Sequence, residues 1–237
     1  QEHASDYATL VENLRAQACT VESARDFRPQ KDIWITPVTI ARRFNANLGF
    51  HTDINRNDEY PAADLRLKDM RGACWVAGSF KYLAESGVAG ISFLETAGDA
   101  GIIDSGSLDG QEGKMNGEKV CLFPVSHLFR FLLKHKEYKI LTLKSTDRLS
   151  AEALGLVHGT LLVLAVINYT PEPKVVRINL GGAIQITGIL HHDEKKKNMS
   201  SVVKPSQPVM INRGGLLILK PFSITFIRGI DKEKIID

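Results

Sequence analysis

The residues best suited to chemistry stand where apolar runs end. Glu95 closes the run Gly90-Ile91-Ser92-Phe93-Leu94, and the residues after it, Thr96-Ala97-Gly98, are small enough to leave room for a ligand. In parallel β/α folds the working groups gather at the C-terminal ends of the strands. A carboxylate there can act as general base or nucleophile, or hold sugar hydroxyls. Its plainer role is to accept hydrogen bonds from the adjacent loop. Thr36 and Thr39 flank Pro37 at the end of a second run, and Arg42, Arg43 and Asn45 follow. Arginine suits a planar carboxylate or a developing oxyanion, and its plainer role is a loop ion pair. His3 and Asp6 come before the first helix, where a preceding strand would end. Asp6 has a ready structural use as an N-cap. His127 stands near the start of a later helix; a helix-borne histidine on the outer layer is more often structural, though this position can also face the strand ends. His191-His192-Asp193-Glu194 has metal-ligand types. Neighbouring strand residues point to opposite faces, however, so the two histidines do not share one ion, and a polar hairpin tip is the expectation. The sequence has no GxGxxG after a strand, no P-loop, no GxSxG and no HExxH, so neither cofactor nor metal is expected.

These residues need elements to position them. A helix is predicted from about Ala8 to Ala24, capped by Ser5 or Asp6, with Leu10, Leu14, Ala18 and Val21 on one face. Ile33–Ile40 reads as a buried strand that ends near Pro37. The polar stretch Arg42–Ala63 is too long for an idle connector. A helix from about Asp64 to Ser86 follows, stopped by Gly87, then the strand Gly90–Glu95. Asp104–Glu118 reads as a polar, Gly-rich loop. Phe123–His135 is a helix entered through Pro124. From Tyr138 onward only short strands are expected: Lys139–Leu143, Glu152–Val157, Leu161–Asn168, Lys174–Leu180, Ile184–Leu190, Met199–Val203, Val209–Ile211, Gly215–Leu219 and Ser223–Arg228. Regular short strands separated by Gly, Pro and Asn turns read as an antiparallel β-sandwich.

The fold class is therefore α/β followed by all-β. Residues 1–137 form one unit, 138–230 a sandwich and 231–237 a charged tail. Two strands within the first unit are too few for a closed (β/α)8 barrel, which takes about 250 residues. The unit reads as the last strands and helices of a partial barrel, and the chain as a piece of a longer protein.

With 237 residues, 43% apolar and 24% charged, the composition is that of a globular protein. A net charge of +3 without a clustered basic face excludes a nucleic-acid role. No apolar run is long enough for a membrane helix. The three cysteines, Cys19, Cys74 and Cys121, are widely spaced and form no CxxC pair. Cys19 and Cys74 fall on apolar helical faces and are expected to be buried. A reducing, cytoplasmic setting is the expectation.

Several segments, in order, resemble the bacterial D-apionate lactonase family. They are His3-Ala4-Ser5-Asp6, Ile35-Thr36-Pro37-Val38-Thr39-Ile40 with Arg43-Phe44-Asn45, Gly72-Ala73-Cys74-Trp75-Val76-Ala77-Gly78-Ser79, Phe93-Leu94-Glu95-Thr96-Ala97-Gly98 and Phe123-Pro124-Val125-Ser126-His127. The resemblance covers residues 1 to about 135. It implies a glycoside-hydrolase-like barrel with a C-terminal sandwich, Ile33–Ile40 as the seventh barrel strand and Gly90–Glu95 as the eighth. It also implies hydrolysis of the lactone of a branched sugar acid. Two departures stand out: Ser126 replaces the family's Tyr, and Asp99 replaces its Trp. Related retaining glycosidases carry a nucleophilic carboxylate at the end of the seventh strand, and Ile33–Ile40 has none.

The leading reading assigns catalysis to Glu95, His3 and Arg43. Substrate contact falls to Thr39, Asn45, Thr96, Asp6 and His127. The partner is a small carbohydrate or sugar-acid lactone. Two rivals are a glycoside hydrolase with its acid on further strands, and a non-catalytic carbohydrate-binding or structural module. The second rival is weakened by a shortage of exposed aromatics in the strand-rich half, chiefly Tyr138, Tyr169, Phe222 and Phe226.

Overall fold

The computed structural model describes residues 6–40, 64–98, 101–104, 111–115, 118–179, 184–192, 210–211 and 215–231. The predicted first helix is two, α1 (Tyr7–Glu12) and α2 (Leu14–Phe27), hinged at Asn13. Asp6 caps α1, accepting from Ala8 N at 2.7 Å and from Thr9 Oγ1 at 3.2 Å. Leu14, Ala18 and Val21 are buried as the periodicity requires. Cys19 is exposed, which corrects the expectation for it: it follows Ala18 by one position, about 100° around the helix, on the solvent side.

β1 (Trp34–Val38) runs parallel to β2 (Gly90–Phe93), with Trp34 opposite Gly90 and Val38 opposite Phe93. The Thr36–Pro37 peptide is cis, within the strand rather than after it. Between the two strands the predicted second helix is a 3₁₀ turn, Leu65–Lys68, followed by α3 (Met70–Glu85). Asp69 makes the break: it caps α3 by accepting from Arg71 N at 2.8 Å. The C-terminal end is closed by Gly87 at φ +72°, with Gly87 N donating to Ala84 O at 3.0 Å. Arg25 of α2 adds donors to Ser86 O at 3.1 Å and Gly87 O at 3.0 Å. A guanidinium on the last carbonyls of a helix supports it. Arg25→Ala should therefore lower stability by about 1 kcal/mol, read from denaturant melts.

The predicted loop Asp104–Glu118 is not a loop throughout. β3 (Glu95–Ala97), β4 (Gly101–Asp104), β5 (Gln111–Met115) and β6 (Glu118–Leu122) form a small sheet in the order β3-β4-β6-β5. β5, Gln111-Glu112-Gly113-Lys114-Met115, carries almost no apolar residue, and the small sheet is joined by ladder pairing of short segments rather than announced by a long apolar alternation. α4 (Val125–Lys134) then starts with Pro124 at its cap.

The second half is strands, as expected. They are β7 (Lys139–Leu141), β8 (Ala151–His158), β9 (Leu161–Asn168), β10 (Lys174–Ile178), β11 (Ile184–His192), β12 (Met210–Ile211), β13 (Gly215–Leu219) and β14 (Ser223–Asp231). One antiparallel sheet has the order β12-β11-β14-β9-β8-β7, and β10 pairs with β13 as a two-stranded ribbon. His191 and His192 continue β11, opposite Thr225 and Ile224, rather than forming a hairpin tip. Asp193 and Glu194, and the strand expected at Met199–Val203, lie outside the described residues.

α3 is the pivot of the packing. It is buried on nearly every side, from Met70 through Gly72–Ser79 to Leu83, as a helix enclosed by other elements must be. One apolar cluster joins Leu14, Val21, Val76 and Leu83 with Leu154, Val163, Ile167 and Ile224. The helices of the first half thus share a core with one face of the six-stranded sheet. Gly78 is where α3 comes closest to its neighbours. A Cβ there would stand 2.2 Å from Tyr169 Oη and 2.7 Å from Leu14 Cδ1. Tyr169 is itself 3% exposed, and its hydroxyl has no hydrogen-bond partner among the described residues. Gly78→Ala should cost about 1–2 kcal/mol, overpacking outweighing the better helix propensity. Tyr169→Phe should stabilise by about 1 kcal/mol by removing an unsatisfied buried donor. A double-mutant cycle should show the Gly78 penalty shrinking in the Tyr169→Phe background. Of the four aromatics named for the strand-rich half, Tyr169 and Phe226 are buried and Tyr138 and Phe222 are half-buried.

Candidate functional site

β1 and β2 are parallel, paired at Trp34–Gly90 and Ile35–Ile91 and, after a register shift, at Val38–Phe93, so their C-terminal ends lie side by side. Val38 O accepts from Leu94 N at 3.1 Å, which joins the two strands at that end. Thr39 leaves β1 just beyond this bond and Glu95 leaves β2 just beyond it, so the fold brings Thr39, Glu95 and Thr96 to one edge. The side chains of Glu95 and Thr96 are exposed, and Thr39 is half-buried.

Leu94 is held in the left-handed region, at φ +51°, with its side chain only 6% exposed. For a branched residue this conformation is costly and persists only where the surroundings fix it. Here the burial of Leu94 and its bond to Val38 fix it. The turn at Leu94 ends β2 and starts β3 on Glu95, directing the carboxylate out of the strand line. Phe93 anchors the other side of the turn. Its ring lies 6.4 Å from Phe80 of α3 and 6.0 Å from Phe129 of α4. The position of Glu95 is therefore set by packing from both flanking helices.

β3, beginning at Glu95, pairs with β4, and Phe123 N donates to Ile102 O at 3.2 Å. This ties the start of α4 to the small sheet. His127 lies in the first turn of α4 and is 8% exposed. Burial, with Arg130 nearby, pushes its pKa below the ordinary histidine value, so it is neutral at pH 7. Beside it Ser126 Oγ is buried and has no hydrogen-bond partner among the described residues. Ser126 was visible in the sequence only as a departure from a motif; its unpaired hydroxyl is a tertiary finding. Asp6 is spent on capping α1, with both carboxylate oxygens engaged. His3, Arg43 and Asn45 lie outside the described residues. Among the described residues no group of three His, Cys, Asp or Glu is arranged to hold a metal ion, and no helix is long and apolar enough to cross a membrane.

A second polar cluster escaped sequence reasoning. Lys81 of α3, 2% exposed, lies 3.0 Å from Glu85 Oε2 and 3.5 Å from Glu152 Oε2. Tyr82 Oη donates to Glu152 Oε1 at 2.6 Å, and Leu143 N donates to Glu85 Oε1 at 3.2 Å. Burial pushes the pKa of Glu152 up, against the lowering effects of Tyr82 and Lys81. The cluster joins α3 to β8 and to the segment after β7, away from the strand ends that carry Glu95. It is a structural clamp. The only sequence signal was the pair Lys81 and Glu85, four apart on a helix.

Comparison with known folds places the geometry. The chain resembles the α-L-arabinofuranosidase of Thermotoga maritima, solved with arabinose, at 12% identity and a TM-score of 0.63, over 94% of this chain and 50% of that one. A conserved exported protein of Bacteroides fragilis aligns at 14% identity and TM-score 0.56, over 96% and 44%. A family 30 endoxylanase of Clostridium papyrosolvens aligns at 12% and 0.54, over 92% and 46%. The chain thus spans about half the length of these structures. No curated protein sequence matches it. Residues 1–137, more than half of the chain, match the family described as D-apionate lactonase, TIM barrel domain. The parallel β1–β2 pair, with Glu95 just past its C-terminal end, is thus part of that domain, and the chain belongs to the D-apionate lactonase family.

Proposed function

We propose that the chain supplies the closing strands of a carbohydrate hydrolase that opens a sugar-acid lactone by attack of water. In this reading residues 1–137 are the last portion of a (β/α)8 barrel, with β1 and β2 as its seventh and eighth strands. Residues 138–230 form an antiparallel sandwich and 231–237 a charged tail. The activity belongs to the protein in which the remaining strands close the barrel.

The observation that carries the reading is Glu95, set by the turn at Leu94 at the C-terminal end of β2. There its carboxylate takes a proton from water as the water attacks the lactone carbonyl, and returns that proton to the ring oxygen as the acyl–oxygen bond breaks, leaving a hydroxy acid. Arg43, with His3, stabilises the oxyanion and then the product carboxylate. Thr39, Thr96 and Asn45 hold sugar hydroxyls. His127 flanks the substrate, while Asp6, held as the cap of α1, is left out of it. His127, being neutral, would contribute a hydrogen bond and no charge. Neither cofactor nor metal is required by this step.

A retaining glycosidase is disfavoured because β1 and the residues that follow it, Trp34 to Ile40, hold no carboxylate to act as nucleophile. The deciding experiment measures acid release from D-apionolactone, with aryl glycosides in parallel, by the barrel-complete protein and its Glu95→Gln variant. Lactone hydrolysis that depends on Glu95 supports the reading. Aryl glycoside cleavage without lactone hydrolysis overturns it.

A further inference from the structure

β2 exchanges its two faces at its end. Along an extended strand alternate side chains point to opposite sides. Phe93 lies on the helix side, its ring against Phe80 and Phe129, and Ile91 packs on the same apolar core. Ser92, between them, is exposed. Continued extension would set Leu94 on the open side with Ser92 and turn Glu95 inward with Phe93. The reverse is observed: Leu94 is 6% exposed, and Glu95 is exposed. The alternation breaks at Leu94, whose φ is +51°.

The chain is held on both sides of this residue. Before it, β2 is fixed to β1 through the bond from Leu94 N to Val38 O. After it, β3 pairs with β4, Glu95 opposite Gly101 and Ala97 opposite Ile103. Gly98 N donates to Ile103 O at 2.8 Å, and a Cβ added at Gly101 would stand 2.7 Å from the Ala97 backbone. The joint between these two anchored segments is Leu94. Glycine takes left-handed backbone at no steric cost, and leucine does not. Burial offsets the strain here. Leu94 belongs to the apolar cluster that includes Val38, Phe123 and Val125, and an extended backbone would give that burial up.

We propose that Leu94 is a positioning residue for Glu95: burial of its side chain drives the left-handed turn that holds the carboxylate on the open side, at the edge shared with Thr39. The kinetic consequence rests on the lactonase reading; the turn itself does not.

The backbone is tested in the 237-residue chain by the nuclear Overhauser cross-peak between the amide and α hydrogens of residue 94. These hydrogens are closest at positive φ, so the cross-peak is strong in the left-handed region and weaker at any negative φ. A strong cross-peak is expected in the parent chain and in Leu94→Met, and a weak one in Leu94→Ala, which keeps the strain without the burial. Should Leu94→Ala lose its cooperative melt, Leu94→Val takes its place, because it buries less than leucine and its β-branch opposes the left-handed region.

The consequence is tested with D-apionolactone in the barrel-complete protein. Leu94→Ala should lower kcat by about 10–100-fold with KM little changed, the effect of misplacing a reacting group by about 1 Å. Leu94→Gly leaves a larger gap but makes the turn free, so it should recover activity relative to Leu94→Ala; a role in packing alone would put glycine below alanine. In the Glu95→Gln background Leu94→Ala should cost no more than about twofold further, since it acts through the carboxylate. A cross-peak undiminished in Leu94→Ala, glycine falling below alanine, or a full loss persisting in the Glu95→Gln background would overturn the proposal. If the barrel-complete parent does not hydrolyse the lactone, the lactonase reading falls, and the cross-peaks alone decide for or against Leu94.

Discussion

Replacing Lys81 with methionine should destabilise the chain by about 3–5 kcal/mol, the cost of leaving buried carboxylates without their cation. Lys81 is 2% exposed and Glu152 is 4% exposed. They are joined by Glu85, whose carboxylate is 13% exposed. Methionine keeps the length of the stem and its packing, so the loss reports the charge rather than a cavity. Glu152→Gln should cost much less. Lys81 keeps Glu85 at 3.0 Å, and the amide oxygen still accepts from Tyr82.

The pH dependence separates this account from simple misfolding. Glu152 already has a raised pKa through burial, and loss of Lys81 removes one of the effects holding it down. In the variant the folded state therefore takes up a proton more readily than the unfolded chain. A carboxyl whose folded pKa lies above its unfolded value stabilises the fold as pH falls. The stability gap between Lys81→Met and the parent chain should narrow on acidification towards the unfolded carboxylate range, about pH 4–5. His127 and His135 have depressed pKa values, first through burial. They weaken both proteins alike as pH drops below about 6.5, so their effect cancels in the difference. Urea melts of both proteins between neutral and mildly acidic pH measure it; a gap that stays constant or widens on acidification would sink the argument.

The largest catalytic effect is expected at Glu95. In the barrel-complete protein Glu95→Gln should lower kcat for lactone hydrolysis by about 10²–10⁴-fold, the usual contribution of a positioned general base. The amide is isosteric and still hydrogen-bonds, so KM should change little: basicity is needed in the transition state, not in the bound substrate. Since the Glu95 side chain is exposed, stability should move by no more than about 0.5 kcal/mol. Unchanged kcat would remove Glu95 from the mechanism. A fall in KM-related affinity with kcat intact would recast it as a hydroxyl-binding residue.

Much of the fold was legible because its signals are local. The stripe Leu14, Ala18 and Val21 predicts a helical face that is buried. The alternation Val175-Val176-Arg177-Ile178 predicts a strand with one covered face, and Val176 and Ile178 do face the core while Val175 is exposed. What failed was equally physical. Cysteine is a residue type that favours burial, but the angular position of Cys19 sets it outside the stripe. The Asp104–Glu118 stretch reads as a loop from its sequence because a short, largely polar strand such as β5 leaves no apolar periodicity. Asp69, whose side chain caps α3, separates that helix from the Leu65–Lys68 turn, and a turn at Asn13 separates α1 from α2, inside patterns that hydropathy alone joins.

The site divides in the same way. Residue type, and a place after an apolar run, single out Glu95, Thr96 and Thr39 from the sequence, and the order of the motifs points to the family. The sequence could not say that Leu94 turns through a left-handed conformation, or that Phe80 and Phe129 bracket Phe93. Nor could it say that Lys81 is buried between Glu85 and Glu152. Those facts depend on contacts between residues far apart in the chain, and no window along it contains them. A strand end can be read from neighbours a few residues away; the direction of a carboxylate and the burial of a charge are decided by whichever distant surfaces close around them.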